Sequence, residues 1–198
     1  MMKLISRAAA LAALGTALCV PFARSASDDQ PRMLDTSADH GHTRLANPPA
    51  DAMSEAGIVG VLQTVDKSET EAAQMALERS KNEEVLAFAR QMIVDHGEAS
   101  RKLNDVGIQA TSGDMDRRLK DRAKAASRRF GKLEGPAFDR AYMAAMVDDH
   151  QMVLDNIDRK FAPSAKSGML VTHLQEQRPV IESHLEHARR IKIGLGSK

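Results

Sequence analysis

The sequence predicts an all-α protein, a four-helix bundle with an extra short helix in the long crossover between helices 2 and 3. Three observations carry this. Four long stretches repeat apolar residues three and four apart, the period that lines one face of a helix. Capping and turn residues near positions 80, 107, 135 and 165 cut every run too short for an extended coiled coil. Aromatic residues make up only 3% of the chain, with no Trp, while 11 Met and abundant Ala, Leu, Glu, Lys and Arg favour helix over a β-sandwich.

Helix 1 is expected from Asp51, as its N-cap, to about Arg79. Its stripe is Ile58, Leu62, Val65, Ala72, Met75 and Ala76, and Glu69 falls at the stripe position between Val65 and Ala72. A carboxylate there either reaches solvent from the stripe's edge or points inward to a partner. Asn82 caps helix 2, which carries Val85, Phe88, Met92, His96, Ala99 and Leu103 on one face and ends at Val106 before Gly107. After a loop over 108–113, residues 114–129 form a helix rich in Arg and Lys on all but a thin side. A solvated helix lying over the bundle is expected, with a basic docking surface as the alternative. Pro136 suits the first turn of helix 3, whose stripe runs Phe138, Tyr142, Met146, His150, Val153, Ile157 and Phe161. Helix 4 spans about Met169 to Ile193, with Leu170, Leu174, Ile181, His184, Ala188 and Ile191 inward and a kink expected at Pro179.

Residues 1–25 read as a signal peptide. Lys3 and Arg7 precede an apolar run, Ala8 to Val20, too short to span a bilayer, and Ala23-Arg24-Ser25 offers small residues for cleavage. A retained N-terminal anchor is the rival reading. Residues 26–50 have no apolar period and read as a disordered linker in which His40 and His42 are solvated, leaving 51–194 as the bundle domain. The expected location is the periplasm or cell envelope, with no integral membrane span in the mature chain. Cys19 is the single cysteine and leaves with the signal, so no disulfide, thiolate ligand or cysteine nucleophile is expected. Without Lys3, Arg7 and Arg24 the 28 basic residues fall to 25 against 27 acidic ones, a net charge of −2. That balance gives no electrostatic footprint for nucleic acid.

One motif occurs twice. Phe88, Met92 and Asp95-His96 repeat the spacing of Tyr142, Met146 and Asp149-His150. At ~1.5 Å rise per residue, Glu69 and His96 stand at similar heights about the turn between helices 1 and 2, and His150 and His184 roughly so about the turn between helices 3 and 4. Each long helix thus places one candidate ligand, Glu69, His96, His150 or His184, near mid-bundle, where bundle metal sites are built. Imidazole with carboxylate suits a single transition-metal ion such as zinc or iron rather than calcium. Asp95 and Asp149, about 100° round from their histidines, would accept hydrogen bonds from histidines of neighbouring helices and fix the ring tautomer. The rival reading of the same residues is a scaffold, a buried His/carboxylate network that specifies helix pairing. It weighs more on sequence grounds, because a histidine on an apolar stripe is more often a satisfied core residue. Ile93, Val147 and Ile181 stand three before the histidines, so the Glu-x-x-His pairs of a carboxylate-bridged di-iron centre are missing. Glu182, Glu186 and His187 read as a solvent face, and Met75, Met92, Met143, Met146, Met152 and Met169 as core filler rather than copper(I) ligands. With no Gly-rich phosphate loop and no Gly-x-Ser-x-Gly elbow, no catalytic residue is assigned.

Glu69 to Ala76, Val85 through Phe88-Ala89-Arg90-Gln91-Met92 to Asp95-His96, Phe138-Asp139-Arg140-Ala141-Tyr142 through His150, and Pro179 with His184-Leu185-Glu186-His187-Ala188 carry a resemblance. Together they resemble the bacterial family called domain of unknown function 4142, over about residues 53–191. The resemblance implies a ferritin-like bundle, exported and often labelled an outer-membrane protein, with no established reaction. The family's marked positions fall on Glu69, Asp95, His96, Tyr142, His150, Pro179 and His184. Thr70 and Ala72 stand where the family has larger apolar residues, and Asp148-Asp149 doubles the acid before His150, but no candidate ligand is lost. The leading expectation is an exported, non-catalytic envelope module, stress-related, whose buried cluster is structural or holds one metal. The alternative is a ferritin-like metal-dependent oxidoreductase or metal-storage protein. Envelope association stays open.

Overall fold

Ser54, Asn82, Gly107 and Gly135 set the ends of the long helices. A computed structural model describes residues 52–196, and all regular structure among them is helical. The expected signal peptide, the linker with His40 and His42, and Asp51 lie outside the described residues. Helix α1 is Glu55–Arg79, α2 is Glu83–Asp105, α3 is Asp114–Phe130 and α4 is Gly135–Asn156. A π-helical turn, Ile157–Phe161, and a single turn, Ala162–Ser164, extend α4 before α5, Gly168–Gly196.

Ser54 caps α1, not the expected Asp51: its Oγ accepts the Gly57 N–H at 3.1 Å. The preceding residue is held outside the helix because the Met53 N–H donates to Ser164 Oγ at 3.2 Å. Asn82 caps α2 as expected, its Oδ1 accepting the N–H groups of Glu84 and Val85 at 3.0 and 3.3 Å. Gly107 and Gly135 both adopt positive φ, where a side chain would be strained. Helix α5 runs on through Pro179. The π turn was not legible in the stripe. It keeps Ile157 and Phe161 both buried while Asp158, on the outside, accepts from Arg178 of α5 at 2.8 and 3.0 Å.

Helices α1, α2, α5 and α4 pack in a closed ring, each against the next, and α3 crosses outside against α1 and α4. Only Asp116 and Phe130 of α3 are buried, so it is the charged, overlying crossover helix that its composition predicts. The core has two apolar clusters. One holds Leu62, Val65, Leu103, Val153, Ile181 and their neighbours; the other holds Ala73, Phe88, Met92, Met146, Ala188 and theirs. Met92, Met143 and Met146 are core filler as expected, whereas Met169 is 55% exposed. Along α1 the chain passes from the first cluster at Val65 to the second at Ala73, with Glu69 between. His96, His150 and His184 occupy the same crossing point on α2, α4 and α5. A thin polar layer therefore divides the core.

The crossover is pinned to α1. The Thr111 N–H donates to the Ala56 carbonyl at 2.9 Å, and buried Asp116 accepts from the Thr64 and Ser112 hydroxyls and, at 2.8 Å, from the Lys120 ammonium. The loop lies so close that a Cβ at Gly60 would collide with the Thr111 carbonyl oxygen, a backbone atom with little room to yield. Replacing Gly60 by Ala gains roughly 1 kcal/mol of helix propensity. The overpacking costs about 1–3 kcal/mol and should win. Gly60→Ala is expected to lower the urea midpoint with unchanged slope, and a midpoint at or above wild type would contradict the close approach.

Candidate metal centre

Glu69, His96, His150 and His184 meet in the polar layer, each no more than 5% exposed. The structure thus brings all four predicted ligands together. Each histidine has one ring nitrogen anchored. His96 Nδ1 lies 2.8 Å from Asp66 Oδ1, His150 Nδ1 donates to the Met146 carbonyl at 2.8 Å, and His184 Nε2 lies 2.8 Å from Asp95 Oδ2. The remaining nitrogens, Nε2 of His96, Nε2 of His150 and Nδ1 of His184, have no aligned hydrogen-bond partner among the described residues, and neither has Glu69 Oε2. They are nonetheless close. Glu69 Oε2 is 2.9 Å from His96 Nε2 and 3.3 Å from His150 Nε2, near enough for an ionic contact but out of line for a hydrogen bond. Groups so placed face a shared point more than they face each other. One nitrogen from each of the three rings lies within 4.8 Å of the other two.

That donor set suits an ion that takes imidazole and carboxylate in tetrahedral geometry. Ligands at about 2.1 Å from zinc stand about 3.4 Å apart, so the nitrogens would have to draw together by an ångström or so. The anchors on the far nitrogens are the groups that orient metal-bound histidines.

Charge in the layer is divided unequally. Burial alone would raise the Glu69 carboxyl, but His150, His96 and His184 around it bring it down to about 2. Burial opposes charge on His96 too, yet Glu69 and Asp66 hold its imidazolium up to about 10. His150 and His184 are pushed down, chiefly by burial, and stay neutral. Asp66 is raised by burial, because it has only His96 to offset the loss of water, whereas Glu69 has three rings. Burial and Glu69 raise the Tyr142 phenol, whose hydroxyl lies unpaired in the aromatic cluster above.

Asp95 faces a histidine of a neighbouring helix, His184. Asp149 does not: it pairs with Arg122 of α3 at 2.8 Å, because its face of α4 is the one the crossover helix covers. Burial and Glu69 push its carboxyl up to about 6 against the pull of Arg122. Asp66 is the functional residue that sequence reasoning missed, although it stands one turn before Glu69 and four residues after Leu62, on the inward face. The Met146 carbonyl carries no side-chain signal at all. Glu182 and Glu186 are exposed as expected, while His187 is partly covered and edge-on to Phe88 at 5.4 Å.

A pH dependence follows for the metal-free protein. The His96 value lies above its ordinary 6.5, so its contribution to stability is full below pH 6.5 and is lost as pH rises toward about 10. The Glu69 value lies below its ordinary 4.5, so its contribution is full above that and is lost as pH falls toward about 2. The stability gap between wild type and His96→Asn, read by denaturant titration, should be widest at about pH 5–6 and narrow on either side. A gap that stays flat up to about pH 9 would contradict the ion pair.

No curated protein matches the sequence, and no solved structure matches it. The family model described as Domain of unknown function (DUF4142) matches residues 41–191, which takes in α1 to α4 and most of α5, and the chain belongs to that family.

Proposed function

We propose that this protein is a metal-binding helical module that holds one transition-metal ion, such as zinc or iron, on His96, His150, His184 and Glu69. One observation carries the reading: three rings are each anchored at one nitrogen, their other nitrogens lack aligned partners, and one nitrogen of each ring lies within 4.8 Å of the other two. A scaffold network would satisfy its own buried polar atoms. The charge contact of Glu69 with His96 at 2.9 Å offsets part of that demand, but His150 Nε2 and His184 Nδ1 stay without aligned partners, at about 1–3 kcal/mol for each buried group left unsatisfied. A single ion answers both.

When bound, the ion would supply a Lewis acid, or in the case of iron a redox centre, shielded from bulk water. The protein's own groups do the rest. Asp66, the Met146 carbonyl and Asp95 hold the rings in orientation, and the apolar clusters on either side of the layer exclude water. Asp149 is engaged with Arg122 and no Glu-x-x-His pair exists, which supports one ion over two. Three histidines converging on one buried point, with Glu69 beside two of them, support a structural or binding role over storage or an oxidoreductase. The closed ring of α1, α2, α5 and α4 with a helical crossover supports a ferritin-like four-helix layout. The charged and then apolar start of the chain supports export to the periplasm or envelope.

A second, surface reading concerns envelope association. Arg128, Arg129, Lys132 and Arg140 rim a groove between α3 and α4 floored by Leu133 and Ala137, and none of the four has an ion-pair partner among the described residues. Such a rim suits an anionic bilayer surface, where each Lys or Arg contributes roughly 1 kcal/mol. Sedimentation with phosphatidylglycerol vesicles, lost when all four are changed to Ser and absent with phosphatidylcholine, is expected; equal sedimentation of both proteins would dismiss this reading.

The metal reading is tested by mass spectrometry on protein prepared without a histidine tag, after exposure to zinc or iron. About one ion per chain is expected in the wild type, with loss in a folded His96→Ala/His150→Ala variant and a chelator-sensitive rise in melting temperature. A wild type that retains neither metal would return the cluster to the scaffold.

A further inference from the structure

A partly open cavity reaches the centre. It measures about 60 Å³ and lies beneath α3, between α1 and α4. Glu69, a member of the centre, forms part of its wall and is buried, so cavity and centre meet at that carboxylate. Toward solvent, Arg122 meets Asp149, their side chains 49% and 22% exposed. Asp149 Oδ1 makes this 2.8 Å contact without hydrogen-bond alignment, so the pair is held by charge more than by geometry. Met75, Met146 and Met152 are among the residues of the remaining wall.

Size decides the class of occupant. A single water needs about 10–15 Å³ of such volume, whereas pockets for organic ligands run to about 300–1,000 Å³. This one therefore suits an ion with part of its hydration shell. Its donors, the carboxylates of Glu69, Glu71 and Asp149 and three thioethers, attract a cation, and Asp149 and Glu69 lie along one path from surface to centre. We propose that this cavity is the port through which a divalent transition-metal ion reaches the histidines, with Asp149 receiving the ion and Arg122 serving as the latch that the ion displaces. The proposal rests on the metal reading of the centre. Arg122 can give way because its side chain is already half exposed. The rival route is the open groove between α2 and α5, lined by Gln91, His184 and His187. There the approach is occupied, since Gln91 donates to Asp95 at 2.6 Å and Asp95 holds His184.

Cobalt(II) uptake by the metal-free full chain, followed by stopped-flow through its visible ligand-field bands, tests the port separately from the centre. Asp149→Asn, and Ala126→Leu to fill the cavity, should slow uptake by about tenfold, and Arg122→Gln should hasten it several-fold, while the final spectrum and one-to-one stoichiometry stay unchanged. Ala123→Leu serves in place of Ala126→Leu if that chain fails to fold, and near-isosteric Asp149→Asn needs no repacking. Wild-type rates in these variants, with slowing in His187→Ala instead, would overturn the port and leave the centre standing. A wild type that never develops the bands would overturn the metal reading itself and the port with it.

Discussion

A carboxylate buried among imidazoles governs how this bundle fits together. Glu69 sits mid-helix with its Oε2 at 2.9 and 3.3 Å from His96 and His150, and no water-facing side to relieve it. An isolated ionised carboxylate could not remain there, because the desolvation of a charge exceeds what one turn of apolar packing returns. Each neighbouring helix must therefore bring its histidine to the same level. That requirement fixes the register of four helices at once. Leu, Val and Met side chains alone would tolerate sliding, since apolar contacts are not directional.

The two halves of the core follow from this layer. Above it, Phe88, Phe130, Phe138 and Tyr142 pack ring against ring, with Phe88 reaching His184 at 6.3 Å. Below it, aliphatic side chains from α1, α2, α4 and α5 fill the other half. Helix α3 adds little to either half, burying chiefly Phe130, and yet it covers the side of the layer where Glu69 comes nearest the surface. The crossover is thus less a connection than a cover, tied down through Asp116 at one end and Phe130 at the other.

What was legible in the sequence was whatever repeats at helical spacing. Four stripes gave four long helices, and Glu69, His96, His150 and His184 stood out because each interrupts an apolar stripe at matching height. Asp95 was legible by its place beside His96. Asp66 was not legible because it stands beside Val65, off the stripe that Val65, Glu69 and Ala72 trace. The partner of Asp149 was not legible, because Arg122 belongs to a helix whose placement no periodicity encodes. The anchor on His150 is a backbone carbonyl, and the π turn after Asn156 changes the hydrogen-bond ladder without changing which residues are apolar. Ser54, not Asp51, caps α1, and the Met53 N–H beside it is held by Ser164 after α4, a contact that local sequence does not show.

The central claim is that three imidazoles and one carboxylate share a single ion, and it is most directly tested by X-ray absorption spectroscopy of the zinc-loaded protein. The account predicts a first shell of nitrogen and oxygen at about 2.0–2.1 Å with outer-shell scattering from three imidazole rings, reduced by one ring in His184→Ala. A first shell without imidazole scattering, or one unchanged in His184→Ala, would place the zinc elsewhere and contradict the claim.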